Sequence, residues 1–323
     1  MHEWHPRYRA PLWLPGGNLQ TLYPALLARH PAVTYRRERW DTPDGDFIDL
    51  DWTITRPAES APVMVLFHGL EGSSASHYAR SLMHAANRRG WQGVVVHFRG
   101  CSGELNRLPR AYHSGDSAEI DWILRRLRSR YVDAPLYAAG VSLGGNALLK
   151  WLGEQGATAL STVNRAAAIS APVDLTAAGA ALEDGFNMVY TRNFLATMKR
   201  KSLQKLRQHP GLFDGERVRA ARTLREFDDL VTAPLHGFRD VDDYWTRASS
   251  KPGLARVAVP TLLLNARNDP FLPASALPQE GEISAAVTAC FPDEGGHAGF
   301  MTGSFPGTLA WLPEFALGFL STP

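Results

Sequence analysis

A serine, an aspartate and a histidine lying far apart in this sequence have the neighbours that acyl-transfer chemistry requires. Ser142 sits in Gly140-Val141-Ser142-Leu143-Gly144, between the apolar run 135–139 and the helix-forming stretch 146–152. Gly-x-Ser-x-Gly between a strand and a helix is the sequence of a nucleophile elbow. Joining strand to helix with almost no loop strains the serine's backbone, and the residues two positions either side must then lack side chains. The hydroxyl ends at the tip of the turn, at the positive end of the helix, where negative charge is stabilised. A plain tight turn would read the same way, so the serine's partners decide.

A serine hydroxyl attacks a carbonyl only when a base takes its proton, and an acid must orient that base. The order serine, acid, histidine is met by Asp269 in Asn265-Ala266-Arg267-Asn268-Asp269-Pro270 and His297 in Gly295-Gly296-His297-Ala298-Gly299-Phe300. Each follows a strand-like run, so each is expected in a loop at the sheet edge where the serine emerges. Asp174, after the strand that follows the elbow, competes with Asp269. Asp293 lies too close to His297 in sequence to partner it, and His113 precedes the serine and reads as a loop-stabilising residue. A helix-capping aspartate and a loop histidine are the plain structural readings of Asp269 and His297. The tetrahedral intermediate needs two N–H donors. Leu143, after the serine, supplies one, and Leu70 in His68-Gly69-Leu70-Glu71-Gly72 the other. His68 is expected to organise that loop through hydrogen bonds.

The elements that must position these residues follow from periodicity. Strand candidates at 35–40 and 47–52 are joined by Pro43-Asp44-Gly45-Asp46, a hairpin signal. Continuous apolar runs at 63–67, 93–98, 135–139, 164–170, 260–265 and 284–291 alternate with helices near 78–89, 115–130, 146–152 and 307–320. That alternation predicts an α/β fold with a mostly parallel, doubly wound sheet and an antiparallel start. The stretch 175–256 breaks the rhythm with helical segments, including 193–208 and 216–227, and predicts a helical cap over the serine. The expected organisation is one domain, with a core of 35–174 and 257–323, the cap insertion, and an N-terminal extension over 1–34. In that extension Trp13-Leu14-Pro15-Gly16-Gly17-Asn18-Leu19-Gln20-Thr21-Leu22 reads as a turn leading into a short helix near 25–27. Phe186, Met188, Tyr190, Phe194 and Phe238 are the candidate pocket residues of the cap.

Bulk properties exclude several classes. The 323 residues are 45% hydrophobic and 20% charged, enough for a substantial core. A net charge of +2 gives no reason to expect a nucleic-acid partner. Two cysteines, Cys101 and Cys290, cannot build a disulfide framework or a zinc site. They suit a reduced, cytoplasmic protein. Met1-His2-Glu3-Trp4-His5-Pro6 lacks a leader pattern, and no apolar run reaches the roughly 18 residues of a membrane helix. Short basic clusters such as Lys199-Arg200-Lys201 leave peripheral contact with anionic lipid as an open reading. The sequence gives no oligomeric state.

The strings W-L-P-G-G-N-L-Q-T-L, H-G-L-E-G-S, F-R-G-C-S-G-E-L-N-R, Y-H-S-G-D, G-V-S-L-G-G-N and F-x-x-x-G-G-H-x-G-F resemble those of the YheT-like α/β-hydrolases, the AB hydrolase 4 family. The resemblance runs from about residue 10 to the C-terminus. It implies a triad of Ser142, Asp269 and His297 and hydrolysis of carboxylic esters without metal or organic cofactor. Eukaryotic relatives act on acylglycerols, phospholipids and medium-chain esters. Asn268 stands where the family commonly carries an aspartate. A small-molecule ester, short- or medium-chain or lipid-like, is the expected substrate. Thioester cleavage or acyl transfer to an alcohol would use the same triad, and a non-catalytic ligand-binding scaffold could retain it.

Overall fold

The computed structural model of the chain describes residues 8–55 and 57–322. The stretch Met1-His2-Glu3-Trp4-His5-Pro6 lies outside them. Eight strands form one sheet: β1 (Tyr35–Asp41), β2 (Phe47–Thr53), β3 (Val63–Phe67), β4 (Gln92–His97), β5 (Leu136–Val141), β6 (Arg165–Ile169), β7 (Thr261–Leu264) and β8 (Val287–Cys290). Their order is β1-β2-β4-β3-β5-β6-β7-β8. The hairpin β1–β2 joins antiparallel to β4, and every later pairing is parallel. The expected mostly parallel α/β sheet is therefore present.

Continuous apolar strands demand cover on both faces, because neither set of alternating side chains can meet water. One face packs against α3 (Ser117–Arg130) and α4 (Leu143–Gln155), with Val65, Ala138 and Ala168 meeting Ile123, Leu148 and Trp151. The other packs against α2 (His77–Arg88) and α11 (Trp311–Leu320), with Leu66, Ala139 and Ile169 meeting Leu82, Ala316 and Leu320. Between β6 and β7 the chain makes only helices: α5 (Leu175–Leu182), α6 (Met188–Gln208), α7 (Gly215–Ala220), α8 (Leu224–Phe227), α9 (Ala233–Leu235) and α10 (Val241–Ala248). They share their own apolar cluster, including Leu195, Phe227, Tyr244 and Trp245.

Among the element boundaries that differ from the sequence reading, α6 starts five residues early, β8 is shorter, and three more have a local cause. The N-terminal helix α1 runs Gly17–Leu26 behind an N-cap at Gly16, so Gly17-Asn18-Leu19-Gln20-Thr21 is itself helical rather than a turn before a helix. The stretch 216–227 is broken after α7, because Thr223 starts α8 afresh with a reciprocal capping box to Glu226. The last helix begins at Trp311 and not near 307, since Thr302 and Thr308 pair as an isolated bridge in the loop before it.

Candidate active site

Ser142 follows β5 as the N-cap of α4, at φ 54°, ψ −124°, a conformation rare for a residue with a side chain. The flanking glycines are required sterically. A Cβ on Gly144 would drive into the Phe67 and His68 carbonyls, and one on Gly140 into the carbonyl of Gly144. The turn is pinned by two backbone bonds: Ser142 N–H donates to Ile169 (2.9 Å) and Asn146 N–H donates to the Ser142 carbonyl (3.0 Å).

The loops after β7 and β8 bring Asp269 and His297 together. His297 Nδ1 lies 2.8 Å from Asp269 Oδ2 and 3.1 Å from Oδ1. The carboxylate side chain is 1% exposed and the imidazole 10%. Asp269 Oδ1 also accepts from Phe271 N–H at 2.8 Å, which fixes the carboxylate plane against its own loop. Phe271 stacks on the imidazole with ring centroids 4.0 Å apart. Ala298 N–H, next to His297, donates to Ser170 Oγ (2.9 Å), so the histidine loop is tied to the end of β6 beside Ser142.

Sequence reasoning missed how these loops are held. Helix α1 turns a polar face inward. Gln20, 1% exposed, accepts at Oε1 from Asn268 Nδ2 (2.9 Å) and Gly295 N–H (2.8 Å), and its Nε2 donates to the Leu14 carbonyl and to Glu294. Asn268 Oδ1 accepts from Gly296 N–H (3.0 Å), and Thr21 Oγ1 accepts from His297 N–H (2.9 Å). Asn268 thus ties the Asp269 loop to helix α1 as donor and to the His297 loop as acceptor, a task an aspartate's acceptor-only side chain would not match. The available signal was the polar pair Gln20-Thr21 inside an otherwise apolar stretch.

The loop after β3 supplies a free donor. Gly69 N–H donates to Tyr78 Oη (2.8 Å), Glu71 N–H to Tyr112 Oη (2.8 Å), and Gly72 N–H to the Gly69 carbonyl (2.9 Å). Among the described residues the Leu70 N–H alone in this run has no protein acceptor. Leu143 is the first residue of α4, where a helical N–H has no partner within the helix. Gly69 lies so close to the serine that a Cβ there would sit 3.0 Å from the Ser142 Cβ. Glu71 adopts φ 55° and is locked in place: its carboxylate accepts from Tyr112 Oη (2.9 Å) and pairs with Lys201 of α6 (2.9 Å).

His68 is fully buried, with Nδ1 bonded to the Gly69 carbonyl (2.8 Å) and Nε2 accepting from Phe98 N–H (3.1 Å). Burial pushes its pKa down to about 3, so it stays neutral and shapes the loop. Asp174 is the N-cap of α5, accepting from Ala177 N–H at 3.0 Å. His113 packs against His236, Phe238 and Tyr244.

Ser142, Leu70 and Leu143 line a cavity of about 1250 Å³ of empty space, part of it open to solvent. Its far walls are apolar side chains of the helices between β6 and β7, among them Leu182, Phe194, Met198, Phe227 and Trp245, and Phe271 closes it beside the histidine. Of the five candidate pocket residues only Phe194 lines this space. Phe186 is 53% exposed, and Tyr190 turns away to bond Asn18 (2.9 Å). Cys101 and Cys290 are free and buried, and burial pushes each thiol up to about 11.

Strand order, elbow and acid–histidine pair together define an α/β-hydrolase architecture. A family model described as alpha/beta hydrolase fold matches residues 62–304. YheT of Escherichia coli (strain K12) is 41% identical over 308 residues, covering 94% of this chain and 90% of its own. The human phospholipase ABHD3 is 33% identical over 310 residues, covering 93% of this chain and 75% of its own. The solved Pyrococcus furiosus esterase Pf2001 shares the fold, with a TM-score of 0.53 at 15% identity over 90% of this chain and 88% of that one. The chain belongs to the α/β-hydrolase fold family, on the branch that includes YheT.

Proposed function

We propose that this protein is a serine hydrolase that cleaves carboxylic esters through an acyl-enzyme. The observation that carries the reading is the buried Asp269–His297 pair at 2.8 Å, set at the same sheet edge as a serine in a strained strand-to-helix turn. Ser142 Oγ attacks the ester carbonyl while His297 Nε2 takes its proton. Asp269 holds Nδ1–H, which fixes the tautomer and stabilises the imidazolium that forms. The Leu70 and Leu143 N–H groups receive the developing oxyanion, consistent with the free Leu70 donor. His297 then protonates the departing alcohol, and a water attacks the acyl-enzyme by the same route in reverse. Helices α5–α10 act as a cap, and their apolar side chains take the acyl chain.

Kinship with a phospholipase favours lipid-like esters, and the apolar cavity wall favours acyl chains of some length. The reading is tested by Ser142→Ala assayed on p-nitrophenyl esters. The expected result is a loss on the order of 10³-fold or more in kcat with the circular-dichroism spectrum unchanged. Unchanged turnover would overturn it.

A further inference from the structure

Helix α1 is amphipathic the wrong way round. Its inward face is polar, with Gln20 and Thr21 at 1% and 6% exposure holding the acid and histidine loops. Its outward face is apolar: Leu19, Leu26 and Leu27 are 50%, 73% and 72% exposed. With Tyr23 they fall at i, i+4, i+7 and i+8, one stripe along the helix and its cap. The stripe continues onto a second segment. Trp13 packs edge-on against both Tyr23 and Phe305, with centroids 5.0 and 5.4 Å away, and Phe305 is itself 72% exposed. Leu12, beside Trp13, is wholly exposed. An apolar area of this kind, drawn from two segments, marks a contact surface.

Charge identifies what it contacts. Residues 10–28 contain no Asp, Glu, Lys or Arg, and neither do residues 295–313, which carry Phe305. The first charges met at either end of the α1 segment are Arg9 and Arg29, both exposed. Aliphatic side chains at the centre, indole and phenol rings beside them and arginines at both ends match the depth profile of a bilayer interface. The arginines would reach phosphate headgroups. A folded protein partner calls for a hydrogen-bonding polar rim, and this stripe offers little of one.

We propose that α1 and the Phe305 loop form a docking surface for anionic lipid. Docking would place the membrane directly against the helix that holds Asp269 and His297 in register. The test is flotation of the full chain with phosphatidylcholine vesicles, with and without phosphatidylglycerol, in low and high salt. The protein is expected to float with the phosphatidylglycerol vesicles, less so in high salt. The double substitution L26D/L27D is expected to reduce the bound fraction on the order of tenfold. Phe305→Asp, on a separate loop, keeps the test decisive should the double variant fold poorly. Both variants should retain wild-type turnover of a dissolved short-chain p-nitrophenyl ester. Binding is read without turnover and is expected equally of Ser142→Ala, so its failure is distinct from failure of the esterase reading. Absence of vesicle binding, binding unaffected by either variant, or a wild-type dimer that L26D/L27D disperses in sedimentation would each overturn the proposal.

Discussion

The sheet edge and the helices between β6 and β7 face each other across one cavity and place their polar groups by opposite means. At the edge, Gln20, Ser170, His68 and Asp269 are each bonded to backbone groups of the surrounding loops. In the helical stretch, the polar contacts that cross the cavity include two long side chains one turn apart on α6. Lys201 reaches Glu71, and Lys205 reaches the Asn106 and Leu108 carbonyls. Side chains locked by several short bonds keep a geometry to fractions of an ångström. Lysine stems and apolar walls let a neighbouring layer adjust. Chemistry should therefore be sensitive to small changes at the edge, and specificity to changes in the helices.

The largest break in that contrast should come from Asp269→Asn. It keeps the shape of the site but allows the wrong imidazole tautomer, and kcat should fall on the order of 10³- to 10⁴-fold with little change in melting temperature. A loss under tenfold would return the acid role to Asp174.

Gln20→Leu comes next. All four hydrogen-bonding positions of this amide are filled, and three of them tie α1 to the loops of Asp269 and His297. Removing it strands a buried Gly295 N–H and lets both loops shift. The expected cost is on the order of 10²-fold in kcat, read by stopped-flow acylation, with KM nearly constant. An equal loss in KM would mean that the helix serves substrate binding instead.

Tyr112→Phe is a gentler probe of the other side of the site. The ring keeps its stacking on Phe98, 5.3 Å away and 5° from parallel, while both hydrogen bonds to Glu71 are lost. The Leu70 N–H would then be aimed less well. A fall on the order of tenfold in kcat is expected, matched by weaker binding of a boronic-acid transition-state analogue and an unchanged KM.

These substitutions also mark where the sequence was readable. Ser142, Asp269 and His297 each carry a local signature, glycines or a proline beside a chemical residue after an apolar run, and strand alternation alone gives the mostly parallel sheet with its antiparallel start. Gln20, Asn268 and Tyr112 carry none. Each acts through a partner tens to hundreds of residues away, and the spacing of a single chain does not encode such pairings. Most of the candidate pocket residues lie away from the cavity for a related reason. Periodicity marks which helix face is apolar, but Phe186 is half-exposed and Tyr190 turns to Asn18 of α1, so of the five only Phe194 lines the cavity.

The smallest effect separates the two regions by pH. At the edge, His68 is held neutral well below its ordinary pKa, so its contribution to stability is present above about pH 6.5 and is lost as pH falls toward 3. In the helices the sign is reversed. Asp228 faces the cavity, accepts from Thr232 Oγ1 (2.6 Å) and Trp245 Nε1 (2.9 Å), and is pushed up to about 6 by burial. Between its ordinary value of 3.8 and about 6 the folded protein keeps a proton that the unfolded chain has released. Stability therefore declines as pH rises through that window, and the deficit is complete above it. Burial of this carboxylate therefore costs stability above the window, by an amount on the order of 1–2 kcal/mol. Asp228→Asn removes the titration and keeps the shape, with Thr232 able to reverse its bond. Urea denaturation should show the variant more stable by about 1–2 kcal/mol at pH 8 and no more stable than wild type at pH 4. Equal stabilisation at both pH values would mean that packing, not a strained charge, distinguishes this residue, and the electrostatic half of the contrast would fall.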